Sequence, residues 1–371
     1  MIQIYFLFFF TLFLRFLDYL YYKNSHDILV LLKLTPYERS KPQCQYYKKY
    51  DFLFSVFPFI WSWLDIIICA YLIKNYDYLL LKFFVIIFIG TRMRALQEAS
   101  HTAVHCGLCK SKAWQWWLSN IFFQFPFFKP DMSARFQAHV VEHHRHPNKI
   151  KDPNITRLMS IGIVPGISKV KFYTKLFHPV TLKGFMETFH LCLCGLLNNK
   201  HYYYVYIRLF VISVIGLSCY YTFGLNGFLF CYIIPLLTTY PLYSWVSLLA
   251  EHRWYAPCHA TDRYTLECIN GRPTNFVNLS GWIIKHAIFP GTDHYHLAHS
   301  LYPFARWNYM ASIDRVLKKN ADYTRFMSTG LIFKKKHEYS ALSELRDRLI
   351  YPDGNNLSDW ALTIFLVGKN E

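Results

Sequence analysis

Residues Leu53–Ile73 read LFSVFPFIWSWLDIIICAYLI, and beyond Lys74–Asp77 the chain continues YLLLKFFVIIFIGTRMRAL over Tyr78–Leu96. A bilayer core of ~30 Å takes ~20 mostly apolar residues to cross as a helix, and each run supplies about that many. A second pair follows, Val205–Phe223 and Phe228–Ala250. Asp65 and Lys82 interrupt the first pair, and intramembrane charges usually face protein or water. Arg92, Arg94 and Arg208 sit near run ends, where long basic side chains reach the interface. Four membrane spans in two hairpins are therefore predicted.

The two tight connections, Lys74–Asp77 and Gly224–Gly227, carry no net charge, whereas Lys129–Tyr204 holds a large Lys/Arg excess and Lys23–Asp51 a smaller one. The positive-inside rule puts both charged loops and the C-terminal tail in the cytoplasm. The tail is mixed and polar and is expected to form a helical cytoplasmic cap. We divide the chain into an N-terminal hydrophobic segment and linker (1–51), a membrane domain (52–303) and a tail (304–371). The opening MIQIYFLFFFTLFLRFLDYLYY lacks a basic n-region and a cleavage site, and Arg15 and Asp18 interrupt it, so it reads as an uncleaved anchor or interfacial helix. Ala113–Phe128, rich in Trp and Phe but short, suits a helix lying in the interface.

Composition agrees. Of 371 residues, 53% are apolar, 19% aromatic and only 17% charged, where soluble domains carry about 25% charge. The net charge of +17 does not point to nucleic acid, because the aromatics lie inside apolar runs instead of alternating with Lys and Arg. Ten cysteines form no framework. Cys106 and Cys109 (CGLC) could be a redox pair or half a zinc site, but no second pair completes one, and free thiols are expected.

Seventeen histidines are present, and they cluster. EASHTAVHC places His101 and His105 four residues apart, one turn along a helical face, as a shared metal requires. QAHVVEHHRHP carries His139, His143, His144 and His146. AEHRW places His252 at the cytoplasmic end of the last span, and GTDHYHLAHSLYP carries His294, His296 and His299. One such pair is weak evidence, since surface helices often carry two histidines by chance. The full set, all on the side that the charge bias calls cytoplasmic, points to one site. His26, His178, His190, His201, His259 and His337 are isolated and read as surface or packing residues; His146 and His286 read as local hydrogen-bonding groups. A closed zinc site would leave half the cluster idle, so the spacing says two imidazole-bound metals without naming the element.

At these residues the chain resembles the membrane fatty acid desaturase and hydroxylase superfamily, the histidine-box di-iron enzymes. The matching motifs are HTAVH, HVVEHH and HLAHS followed by LYP, within MRALQEASH, HHRHPNKIKDPN, LAEHRW and DHYHLAHSLYP, over about Arg92 to Pro303. The wider context is similar to bacterial members. The resemblance implies a mushroom-shaped, all-α fold of four transmembrane helices under a cytoplasmic cap, in a multi-pass protein of the bacterial inner membrane. It implies two iron ions held by His101, His105, His139, His143, His144, His252, His296 and His299. The family's last box ends in two adjacent histidines; here the second position is Ser300, which leaves one iron short of a ligand unless His294 or a water takes the place. Asp152, Glu251 and Asp293 are candidate carboxylates behind the ligands, since a ligating histidine usually donates its other N–H to such a group.

The implied chemistry is O2-dependent removal of hydrogen from an unactivated C–H bond of a lipid or acyl chain, giving a double bond. A hydroxylase on the same scaffold is the alternative. A metal transporter, from another class, would want its ligands within the spans near the midplane. With no fused haem signature or ferredoxin-type cysteine cluster, the electrons are expected from a separate ferredoxin or haem-type carrier and its reductase, steered to the basic face.

Overall fold

The apolar runs fold as helices, and the charges inside them find one another. The computed structural model describes residues 2–23, 48–197, 202–257, 259–260, 262–276, 278–332 and 339–367. Most of the basic Lys23–Asp51 loop, together with His26, His201, His337, Cys44 and Cys258, lies outside the described residues. Those described are helical apart from connections and two isolated bridges. α1 spans Ile2–Tyr22, α2 Phe57–Asn75 and α3 Leu79–Val104. Pro58 opens α2, where its missing N–H costs nothing. Arg15 of α1 pairs with Asp65 of α2 at 2.5 Å, and Arg92 of α3 reaches the same carboxylate at 3.3 Å. Asp18 accepts from Arg306 at 3.3 Å and from Asn308 at 2.6 Å, which ties α1 to the tail. The residues that interrupt the N-terminal run thus act as its docking contacts, because a buried charge is tolerated only when paired.

α4, Tyr202–Phe228, contains Gly224 at φ 72°, ψ −176°, and the chain reverses there. The ring of Phe228 returns to within 3.6 Å of where a Cβ on Gly216 would lie. Only glycine adopts such a backbone without strain. The return path is not one regular helix. It passes through a π-type segment (Leu229–Ile233), a turn holding Pro235 and a break at Thr238 (φ −127°, ψ −81°) before α5, Thr239–Glu251. Gly90 lets α3 cross α5 closely, since a Cβ there would overlap the Thr239 side chain; the Thr239 hydroxyl donates to Ile86 O at 2.9 Å.

Among the described residues three helical stretches are long and apolar enough to cross a membrane: Ile2–Tyr22, Asp51–Asn75 and Tyr202–Glu251. This differs from the four runs expected. α1 qualifies because its two charges are few, whereas α3, although about 39 Å long, carries Lys82, Arg92 and Arg94 within its apolar part. The last stretch holds 50 residues, more than twice what one crossing needs, with Gly224 near its middle. Large apolar side chains stand exposed along α1, the first turns of α3 and α4, among them Phe6, Leu79, Phe210 and Tyr221.

Two further cores support the histidine segments. One packs Trp245, Leu249 and Trp254 against Ile155, Phe172, Leu345 and Leu349. The other packs Leu297, Leu301, Tyr309 and Ile313 under Tyr22 of α1. The tail is therefore part of the same body as the helices. Among the described residues Cys69, Cys109, Cys192, Cys194, Cys219, Cys231 and Cys268 are free thiols.

Candidate metal centre

α3 runs on past its apolar part, and its last turns carry His101, with His105 at its C-terminal cap. Asp131 caps the next segment by accepting from Ser133 N and Ala134 N, and this starts the helix that leads to the second motif. That helix then widens into a π-type turn over Gln137–His143. In α-helical register His143 would lie over His139. Instead His144 N donates to His139 O at 3.0 Å, an i→i+5 bond that brings His144 onto the side of His139 and sends His143 the other way.

The result is a division of eight histidines into two groups. His101, His105, His139, His144 and His299 each bring one ring nitrogen to within 4.8 Å of all the others. His143, His252 and His296 form the second group. In the first, Nε2 of His139 lies 2.7 Å from Nε2 of His101, 3.1 Å from that of His105 and 3.2 Å from that of His144. In the second, Nε2 of His252 and His296 are 2.9 Å apart, and the rings of His143 and His252 have centroids 5.0 Å apart. His252 ends α5 in extended backbone, and His296 and His299 share the short helix His296–Leu301.

Several nitrogens facing one point cannot all be satisfied by hydrogen bonds among themselves, since each contact needs one donor and one lone pair. His299 Nε2 is buried with no hydrogen-bond partner. Such an arrangement fits metal ions, and no other described cluster in the chain gathers so many donors. Burial, and then neighbouring positive groups, holds His101, His105, His139, His144, His252 and His299 far below the ordinary imidazole range, and His296 at about 3. They are neutral at pH 7 with lone pairs available. Burial also opposes charge on His143, but the Asp152 carboxylate outweighs it and raises that ring.

Asp152 is buried and accepts from His143 Nδ1 at 2.9 Å, from Asn148 N at 3.0 Å and from Asn154 N at 2.9 Å. Glu251 and Asp293 gather at His296, although Asp293 is bonded to Arg94 and to Ser247 rather than to a ring. His294 is buried yet outside both groups, with its ring against Tyr295 and held at about 2 by burial, then by Lys285. Ser300 is buried beside His299 and offers no imidazole, and the second group has three histidines against five in the first. His146 and His286 also lie outside.

Sequence reasoning passed over Glu98, which accepts from His101 Nδ1 at 2.9 Å. Its signal was in plain sight, because Glu98 precedes His101 by three residues on one helical face. Asn148, at φ 56°, was also missed; it holds the Asp152 loop to Asn270 at 3.1 Å and to the carbonyl of Arg253 at 3.3 Å.

A helical chain whose apolar helices end in eight histidines, seven buried and His139 half-buried, disposed around two points, defines a membrane-associated oxidoreductase of the histidine-box kind. The fatty acid desaturase family model matches residues 78–328, and the chain belongs to that family. It is 24% identical over 284 residues to a dihydrorhizobitoxine desaturase of Bradyrhizobium elkanii, covering 71% of this chain and 76% of that protein.

Proposed function

We propose that this chain is an O2-dependent desaturase that holds two iron ions, one at His101, His105, His139, His144 and His299 and the other at His143, His252 and His296. The observation that carries the reading is the convergence of buried, neutral imidazole nitrogens on two points. Imidazole suits iron as well as zinc, copper and nickel, and the three-histidine point keeps positions for other ligands, as catalytic sites do. When bound, the reduced metal pair supplies O2 activation and the removal of hydrogen from an unactivated C–H bond.

The chain's own groups prepare this. Glu98 and Asp152 hold the Nδ1 protons of His101 and His143, which fixes each tautomer with Nε2 free toward the metal. Arg94 neutralises Asp293 beneath His296. Burial of all eight rings, apart from the half-buried His139, keeps water from the reacting atoms.

The reading includes a multi-pass topology with the histidines on the cytoplasmic side. Lys74, at the far end of α2, donates to Thr222 O at 2.7 Å, so the turn after α2 and the reversal at Gly224 lie at one end of the bundle. The histidines lie at the other. This placement disfavours a transporter, whose ligands would sit at the midplane. The substrate is an acyl or lipid-like molecule, and electrons come from a separate ferredoxin or haem-type carrier.

The test is product analysis of the iron-loaded protein in membranes supplied with O2 and a reductase system. An alkene supports desaturation; an alcohol as sole product transfers the reading to hydroxylation. No O2-dependent product, with iron bound, would refute it.

A further inference from the structure

A cavity of about 280 Å3 opens at the first histidine group, bounded by His101 and His139 and by the facing ends of α3 and α5. Its wall is unusually charged for a chamber between apolar helices, with Arg94, Glu98, Lys129, Arg135, Glu251 and Asp293 all contributing. A second cavity of about 270 Å3 shares Lys129, Arg135, His139 and Asn154 with it and extends to His143. Lys129 and Arg135 therefore stand where the two spaces meet, beside histidines of both groups.

The charges in this wall are not equally matched. Asp293 is paired with Arg94, Glu98 accepts from His101, and Glu251 accepts from Ser247 at 2.8 Å. Arg157 has Glu187 at 3.5 Å. Each carboxylate thus has a hydrogen-bonding neighbour, with Ser247 shared between Glu251 and Asp293. Among the described residues, Lys129 and Arg135 have no carboxylate in ion-pair contact. The Lys129 ammonium lies 5.5 Å from the centre of the Tyr240 ring, and Arg135 Nε is buried with no hydrogen-bond partner. Arg135 is half-buried overall and feels Glu98 and Glu251 without contacting either; a buried Nε with no partner is costly, and the planar fork matches a carboxylate. Arg135 also lies one turn before His139 on the segment that Asp131 caps, so its position relative to the metal ligands is fixed by the backbone.

We propose that Arg135, assisted by Lys129, binds a carboxylate of the substrate, and that the substrate is a compact carboxylate oxidised close to its charged end. Each of the two adjoining spaces lies just below the ~300–1,000 Å3 usual for ligand pockets. This deepens the desaturase reading and rests on it for the oxidation, although binding of the anion can be tested alone.

The experiment titrates hexanoate, hexanamide and dodecanoate into the metal-loaded protein in detergent, read by emission of Trp245, which lines the cavity, with metal content measured on the same samples. Hexanoate should bind at least ~10-fold more tightly than hexanamide, the discrimination expected of a charge-assisted pair. Arg135→Gln should remove that preference, Arg135→Lys should keep part of it and Lys129→Gln should reduce it, all with unchanged metal. Equal binding of acid and amide, or an unaltered preference in both Arg135→Gln and Lys129→Gln, would overturn the proposal. Dodecanoate should bind no more tightly than hexanoate once micelle partitioning is subtracted. A gain approaching the ~3,000-fold that six further buried methylenes would give would overturn the compact substrate. Loss of metal binding with the hexanoate preference intact would instead defeat the di-iron reading and leave the anion site standing.

Discussion

Asp152→Asn should separate the two halves of the metal centre. The carboxylate is buried and does three things at once: it accepts from His143 Nδ1, closes the loop through Asn148 N and caps the helix Pro153–Ile161 through Asn154 N. Asparagine keeps the size and, as a good capping residue, most of the cap. It loses the charge that holds a proton on His143 Nδ1. Partners of this kind are worth about 10–100-fold in metal affinity, or about 1.4–2.7 kcal/mol. The loss should fall on the group of His143, His252 and His296, while the five-histidine group is held by Glu98 and other residues. The assay is metal retained per chain after equilibration with graded chelator. One metal should leave at ~10–100-fold lower chelator than in the parent, with the other unchanged. If both metals leave together, or neither shifts, the division of the histidines and the role given to Asp152 are wrong.

Three further outcomes are expected. Glu344 is held at about 2, since the guanidiniums of Arg272, Arg348 and Arg253 overcome the effect of burial. A depressed carboxyl contributes stability above its unfolded value of about 4.5 and loses it as the pH falls towards 2, here about 3 kcal/mol. The stability gap between parent and Glu344→Gln in denaturation curves should therefore narrow across that window, and a constant gap would contradict it. Asp18→Ala takes one of two carboxylates from the buried Arg306, leaving Asp51 at 3.5 Å; the loss should stay below the ~3–5 kcal/mol of a fully broken buried pair, but the variant should melt lower and its N-terminal helix should become sensitive to protease, whereas a parental melting curve would refute the docking role. Gly184→Ala would drive a Cβ into the His178 carbonyl, and overpacking of about 1–3 kcal/mol should appear as lower thermal stability with metal content unchanged.

Much of the site was legible because it is local. His101 and His105 share a helical face at i and i+4, and the charge bias placed all the motifs on one side. What the sequence could not show is backbone register. Nothing in QAHVVEHH announces a π-type turn, and without it His143, not His144, would join His139. The division into five and three histidines depends on that one extra residue per turn. The spans were less legible. Hydropathy weighs Arg15, Asp18 and Asp65 as penalties one at a time, whereas the fold pairs Arg15 with Asp65 and Asp18 with Arg306, and α1 has the length and composition of a span. α3, with its three cations, is a weaker one. The break at Thr238 fits Pro241, whose ring removes the bond to Leu237 O and crowds that carbonyl, and the reversal fits Gly224, residues visible in the sequence whose backbone angles were not.

The most direct test of the central claim is iron per chain in the purified protein beside a His143→Ala variant. Two irons in the parent and one in the variant is the predicted result, because His143 serves only the three-histidine group. No iron, or stoichiometric zinc indifferent to the substitution, would contradict it.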